Sequence, residues 1–319
     1  MKFPRVALSC LLAAHAALCA AQPYPSKLLK LVTPFPPGGS ADVIARVMAQ
    51  KLGETMGQPV VVDNRGGAGG LLGNDYAAKQ PPDGYTLLLI TGAYPVQAAM
   101  LKSLPFDPLA DIAMVSLLTS YPFVISVRPD SRFRTLPDLI AEARANPGAL
   151  NYPSSGIGTV HHLSGELLNS MAGMNMTHVP FRGGASPLTE VLAGRVDLLL
   201  EAMTLSLGQI QSGKLRALAV TSRERWKALP EVPAVHEALP GYEVVSFIGL
   251  GATGGTPSAI VADINASVRK ALASADTNKR LIDLGGEPGA SSPEEMRSFI
   301  EREIAKWRSV MAARKIERQ

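Results

Sequence analysis

The sequence has 319 residues with 31 Lys and Arg against 27 Asp and Glu, a formal net charge of +4, and aromatic residues make up 5%. A balance this even, with cations scattered and not interleaved with aromatics, argues against a nucleic-acid partner, and the one dense basic stretch, Arg302 to Arg318, alternates with apolar and acidic residues like a solvated helix face. Few aromatics, with Trp226 and Trp307 far from any Gly-rich loop, also argue against a sugar site built on ring stacking.

The chain opens with Lys2 and Arg5, an almost unbroken apolar run from Val6 to Leu18, and the small residues Cys19-Ala20-Ala21 before Gln22. This reads as a cleaved secretory signal peptide over residues 1–21, and the mature protein is expected in the periplasm. The rival reading, a lipid anchor, wants a small residue before the modified Cys, and Cys19 follows Leu18. Both cysteines of the chain, Cys10 and Cys19, fall in this leader. The mature chain is then free of disulfides in a compartment that permits them, so its core must supply its stability. No later run reaches the 18 or so apolar residues that span a bilayer.

Downstream, apolar strand-like runs alternate with helical patterns, which predicts an α/β fold with largely parallel sheets. Expected strands are 29–33, 59–63, 85–90, 123–127, 149–152, 177–180, 196–200, 215–221 and 244–250. The first helix shows one apolar face through Val43, Ile44, Val47, Met48, Leu52 and Met56 and stops at Gly57. A counterpart after Thr159 uses Val160, Leu163, Leu167 and Met171 and stops at Gly173. Extended runs followed by Pro and Gly punctuation, at Phe123 to Pro129 and Val245 to Pro257, mark two crossovers. They predict one lobe from 22–125 plus 247–319, a second from 126–246, and a ligand cleft between them. From Ser258 onward, amphipathic helices are expected to pack on the first lobe.

Two segments run from a strand through a Gly-rich turn into a helix: Leu31 to Asp42, and Leu150 to Thr159. Gly38 and Gly39 are expected to take positive φ and to approach a ligand closely, with Ser40 as N-cap of the helix. Free N–H groups and the helix dipole at such a start favour an anion by about 0.3–1 kcal/mol, up to about 2 when partly buried. Two such turns on two lobes suggest a clamp on a carboxylate or phosphate. Asp42 sits in the first helical turn, where it either caps or meets an amine or ordered water.

Other chemistries find less support. His162 and Glu166 have i, i+4 spacing but no third ligand, and His161 and His162 read as ordinary helix-start residues, so no metal is expected. Gly-x-Ser-x-Gly is absent around Ser154 and Ser155, and neither Gly-x-Gly-x-x-Gly nor a Walker motif occurs, so no catalytic residue and no cofactor are expected. Arg65 and Arg182 are bidentate carboxylate partners in principle, although loop arginines are more often structural.

The segments Pro34 to Asp42, Val62-Asp63-Asn64-Arg65 with Gly67-Ala68-Gly69-Gly70, and Asp83 to Leu87 closely resemble the Bug receptors, the extracytoplasmic solute receptors of tripartite tricarboxylate transporters. The likeness continues in order through Leu104 to Pro108, Ser155 to Thr159, Val179 to Gly184, Gly194 to Asp197, Leu215 to Thr221 and Leu284 to Pro288. It implies a two-lobe periplasmic-binding-protein fold of the Venus flytrap, type II-like kind and a small carboxylate ligand held partly by backbone groups and water. By position it implies ligand contacts from Phe35, Pro37, Gly38, Gly39, Ser40, Asp42, Ala68, Gly69 and Thr91 on the first lobe. From the second lobe it implies Ser154, Ser155, Gly156, Gly158, Thr159 and Glu201. The partners implied are the membrane permease subunits of such a transporter, with the receptor a monomer and not an enzyme; the alternative is an adaptor that presents its closed form to a two-component sensor kinase. The chain departs from the family pattern at Gly66, at Thr91-Gly92-Ala93-Tyr94, and at Glu201-Ala202, where many relatives carry Asp-Asn.

Overall fold

The computed structural model describes residues 24–313 and 316–318; the expected signal peptide lies outside them. The first strands follow the apolar runs. β1 (Leu29–Thr33), β2 (Val60–Asn64) and β3 (Thr86–Thr91) are parallel, with Leu31 opposite Val62 and Leu87. The crossover from β1 to β2 is α1 (Ser40–Met56), which buries Ile44, Val47, Met48 and Leu52 and ends at Gly57. Each such side chain contributes about 1.5–3 kcal/mol when taken fully from water. From β2 the chain passes through α2 (Leu71–Ala78) to β3, and α3 (Ala93–Met100) follows β3.

β4 (Ile112–Val127) organises the rest. It is 16 residues long, and the sequence reading saw only its last five. Its first part, Ile112 to Pro122, lies antiparallel to β9 (Val245–Thr253), which itself runs antiparallel to β3. Its second part, from Phe123 on, leaves that sheet and pairs antiparallel with β7 (Leu199–Ala202) and β8 (Arg216–Val220). One strand thus belongs to both lobes. The pairing around it makes the sheet mixed and not largely parallel, because the chain crosses out along β4 and must return alongside it through β9. The strand path of the larger sheet is β10-β4-β9-β3-β1-β2, with β10 (Glu287–Pro288) at the edge.

Between the crossings the second lobe contains α4 (Leu136–Ala145), the parallel pair β5 (Asn151–Ser154) and β6 (Thr177–Pro180), α5 (Val160–Ala172), α6 (Ser186–Leu192), α7 (Met203–Gln211) and the short α8 (Val235–Ala238). After β9, α9 (Ser258–Ala273), α10 (Ala275–Asp283) and α11 (Pro293–Ala313) return to the first lobe, α9 against α1 and β4 and α11 against α3 and β4. Among the described residues no helix is long and apolar enough to cross a membrane.

Thr221 pins the two crossing segments together. It is fully buried, its Oγ1 accepts from the Phe123 N–H at 2.7 Å and donates to the Val244 carbonyl at 2.6 Å, and its backbone bonds Phe123 and Val244 again. Thr221→Val keeps the shape but leaves a buried N–H and a buried carbonyl without that hydroxyl. The expected loss is about 2–3 kcal/mol of unfolding free energy, read as a lower urea midpoint at unchanged slope.

Candidate functional site

The loop entering α1 is held by a buried carboxylate. Asp42 is 4% exposed; its Oδ2 accepts from the Gly38 N–H and from Arg46 Nε, and its Oδ1 from Arg46 Nη2 and Asn64 Nδ2, all at 3.0 Å. Burial alone would raise its pKa, but the hydrogen bonds from Arg46, Gly38 and Asn64 outweigh it and hold the carboxyl below the usual range. Asn64 also reaches the Phe35 carbonyl at 3.1 Å. Asp42 therefore ties the loop to β2 and has its four acceptor positions filled from within the chain.

Two expectations at this loop change. Only Gly38 has positive φ, at 85°; Gly39 is extended at −92° and is itself the N-cap, with no side-chain cap, so Ser40 is the first helical residue. The absence of a side chain at Gly39 serves a different end. A Cβ there would stand 3.1 Å from Gly184 Cα, a backbone atom of the opposite lobe. With its capping role taken over by Gly39, the Ser40 hydroxyl has no hydrogen-bond partner among the described residues.

The loop entering α5 is braced from beneath. Ser154 is fully buried; its Oγ lies 2.6 Å from His178 Nε2 and accepts from the Gly156 N–H at 3.0 Å. Thr159 caps α5, accepting from His162 N–H, and donates to the Gly156 carbonyl at 2.6 Å. His178 stacks between Tyr152 and His162, with centroids 5.1 and 4.3 Å away. Burial, then the neighbouring His162, push the His178 pKa down to about 4.

The two loops meet at a cavity between the lobes. The space open to the centre of a water molecule there is about 50 Å³, several times the roughly 10–15 Å³ one water needs. Of the residues expected from sequence, Phe35, Gly39, Ser40, Thr91, Ser155, Thr159 and Glu201 line it. Asp42 and Ser154 stand behind the wall in the bracing networks just described. Pro37, Ala68, Gly69, Gly156 and Gly158 line neighbouring, more open grooves, and Gly38 lines none of these spaces. Gly69, at φ +66°, touches the other lobe, since a Cβ there would lie 2.7 Å from the Ile157 carbonyl oxygen.

The sequence reading missed Tyr121, Phe123, His161, Ser246 and Ile248 in the wall. Four of them come from the crossing strands β4 and β9, read only as a hinge. His161, read as an ordinary helix-start residue, reaches across to Glu201, with Nε2 2.8 Å from Oε1. Arg65 is spent on Asp63 and on the face of Tyr76, and Arg182 lies in the outer grooves.

Four helix starts contribute to the wall: Gly39 to Ala41 before and in α1, Gly92 and Ala93 at α3, Thr159 to His161 at α5, and Ala202 before α7. Among the described residues no Lys or Arg lines it. Ser40, Thr91 and Ser155 line this space, and their hydroxyls have no hydrogen-bond partner among the described residues; Thr91 Oγ1 is a buried orphan, while those of Ser40 and Ser155 are not cut off. Free N–H groups, helix dipoles and idle hydroxyls suit the oxygens of a small anion. Among the described residues no group of three His, Cys, Asp or Glu could hold a metal.

The family model described as the TctC tripartite tricarboxylate transporter family receptor matches residues 44–316. Protein BugT of Bordetella pertussis is 36% identical over 299 residues, covering 93% of this chain and 92% of that one. Two solved structures are similar throughout: R. palustris Rpa4515 with adipate, at 37% identity and TM-score 0.89 over 92% of this chain and 99% of that one, and MatC from Rhodopseudomonas palustris with bound malate, at 32% and 0.86 over 90% and 99%.

The brace under the second loop makes stability depend on pH. His178 is neutral when folded and takes a proton in the unfolded chain near its ordinary 6.5, so its contribution is complete above pH 6.5 and is lost as pH falls toward about 4. The unfolding free energy from denaturant titration should fall over that window by up to about 3 kcal/mol, and His178→Asn should flatten that part of the profile.

Proposed function

The chain belongs to the TctC family of tripartite tricarboxylate transporter receptors, and we propose that it is an exported, monomeric binding protein that closes two lobes over a small carboxylate and presents it to membrane permease subunits. The observation that carries this reading is the convergence of helix starts and unpartnered hydroxyls from both lobes on one cavity, with no Lys or Arg among the described residues of its wall. A carboxylate accepts from Ser40 and Ser155 and from the first N–H groups of α1 and α5, contacts available together only when the lobes are shut. Such a ligand favours the closed state by its differential affinity. The adipate and malate named for two similar structures are carboxylates, in keeping with this assignment.

In this reading lobe one comprises 22–125 plus 247–319 and lobe two 126–246, hinged along β4 and β9. No bond in the ligand is made or broken. Ser154, although close to His178, is sealed beneath its loop and bonds that loop's backbone. Asp42 and Ser154 act as braces, and Glu201 with the lining residues forms the binding wall.

Thermal denaturation of refolded mature protein against mono-, di- and tricarboxylates tests the proposal. A ligand at about 100 times its Kd adds about 2.7 kcal/mol, expected as a rise of several degrees in Tm, while the uncharged amides give none; equal shifts from the amides contradict it. Gly39→Val, which sets a branched side chain against the Gly184 backbone, should weaken carboxylate binding by about tenfold or more and leave the unliganded Tm within a few degrees. Unchanged affinity removes the closure contact from the account.

A further inference from the structure

Glu201 is an anion set into an anion-receiving wall. It is 2% exposed and lies at the end of β7, where the chain turns into α7. Both of its hydrogen bonds fall on one oxygen: Oε1 accepts from the Ala202 N–H at 2.8 Å and from His161 Nε2 at 2.8 Å. Oε2 has no hydrogen bond to any described residue, and it is not among the buried side-chain atoms cut off without a partner. Glu201 lines the cavity, so that oxygen is available to whatever the cavity holds.

The groups around it do not supply a second donor. His161 is committed to Oε1. Tyr121, whose pKa burial raises, stays a neutral phenol and makes no hydrogen bond to Glu201. Phe123 packs its ring edge-on to His161, with centroids 4.7 Å apart, fixing the imidazole where it meets Glu201. Beside the His161–Glu201 pair, no Lys or Arg among the described residues lies in the wall. A carboxylate has about four acceptor positions. Receiving the Ala202 N–H and His161 occupies those of one oxygen and leaves the other as a strong acceptor in the cavity wall.

We propose that Glu201 is a specificity residue that makes the cavity select carboxylates which also carry a hydrogen-bond donor, an amine or a hydroxyl, over acids that offer only carboxylates or an alkyl chain. This rests on the carboxylate reading above. The ligand's carboxylate goes to the hydroxyls and helix starts, and its N–H or O–H goes to Glu201 Oε2. A plain diacid instead brings a second negative charge beside a buried carboxylate, where like charges repel strongly. A plain monoacid leaves Oε2 covered and unpaired, which a site built to receive a donor penalises.

The test is calorimetric titration of refolded mature protein with acids matched in length: butanoate, 2-aminobutanoate, 4-aminobutanoate, 4-hydroxybutanoate and succinate, and the six-carbon counterparts. The best donor-bearing acid should bind at least about tenfold tighter than both the plain monoacid and the diacid of its length. Glu201→Gln, whose amide oxygen still accepts from Ala202 and His161, should cut the preference over the diacid to about threefold or less, since it removes the negative charge that repels one and attracts the other. A diacid that binds wild type as tightly as the donor-bearing acids, or a preference unchanged in Glu201→Gln, overturns the role of Glu201 while leaving the carboxylate reading intact. Binding of the corresponding amides in place of the acids, or of no acid in either series, overturns that reading and this one with it.

Discussion

Gly39 and Gly184 meet backbone to backbone across the cleft, and the position of every other group in the site follows from how closely those two chains approach. A Cβ at Gly39 would stand 3.1 Å from Gly184 Cα, and one at Gly184, which sits at φ +67°, 2.8 Å from the Pro37 carbonyl oxygen, so a side chain at either position forces the two lobes to give way. With the wedge absent, the start of α1 on one lobe and the start of α5 on the other share a cavity only a few water molecules in size. At that separation the free N–H groups and helix dipoles of both lobes are placed, in the proposed binding mode, to act on the same ligand atoms.

Such close approach is useful only if the loops hold their shape before a ligand arrives. Each loop has a buried polar brace of its own: Asp42 with Gly38, Arg46 and Asn64 on the first lobe, and Ser154 with His178 and Gly156 on the second. These groups are engaged with the protein, while the Ser40 and Ser155 hydroxyls in the cavity wall have no hydrogen-bond partner among the described residues. Separating bracing groups from contacting groups keeps the ordering cost of binding low, because the donors are in place beforehand. Thr221 does the same for the hinge, joining the outgoing strand at Phe123 to the returning chain at Val244.

Much of this was legible in the sequence where local patterns decide structure. β1, α1 and the α5 helix follow their apolar periodicities, and the Gly-rich turns before them fall at one cavity. The first half of β4 was not legible, since Ile112 to Pro122 has neither clean alternation nor punctuation and is a strand because β9 returns beside it. The antiparallel pairing about β4 is likewise a long-range consequence of crossing between lobes. The same limit hid part of the site. Tyr121 and Ser246 reach the cavity only because the crossing strands form its floor, and His161 gains its meaning from Glu201, 40 residues away in the chain. Ser40 shows a local rule yielding to a tertiary one: the cap position goes to Gly39, where backbone contact forbids a side chain, and the serine moves one place into the helix.

A carboxylate shared by two helix starts between the lobes is the centre of the proposed binding mode. The most direct measurement is a crystal structure of the protein with the best-binding acid from the melting screen. Carboxylate oxygens are expected within hydrogen-bond reach of Ser40 and the first α1 N–H groups and of the first α5 N–H groups at once, with Gly39 against Gly184. An acid bound through Arg182 in the outer groove, or contacting one lobe alone, would contradict it.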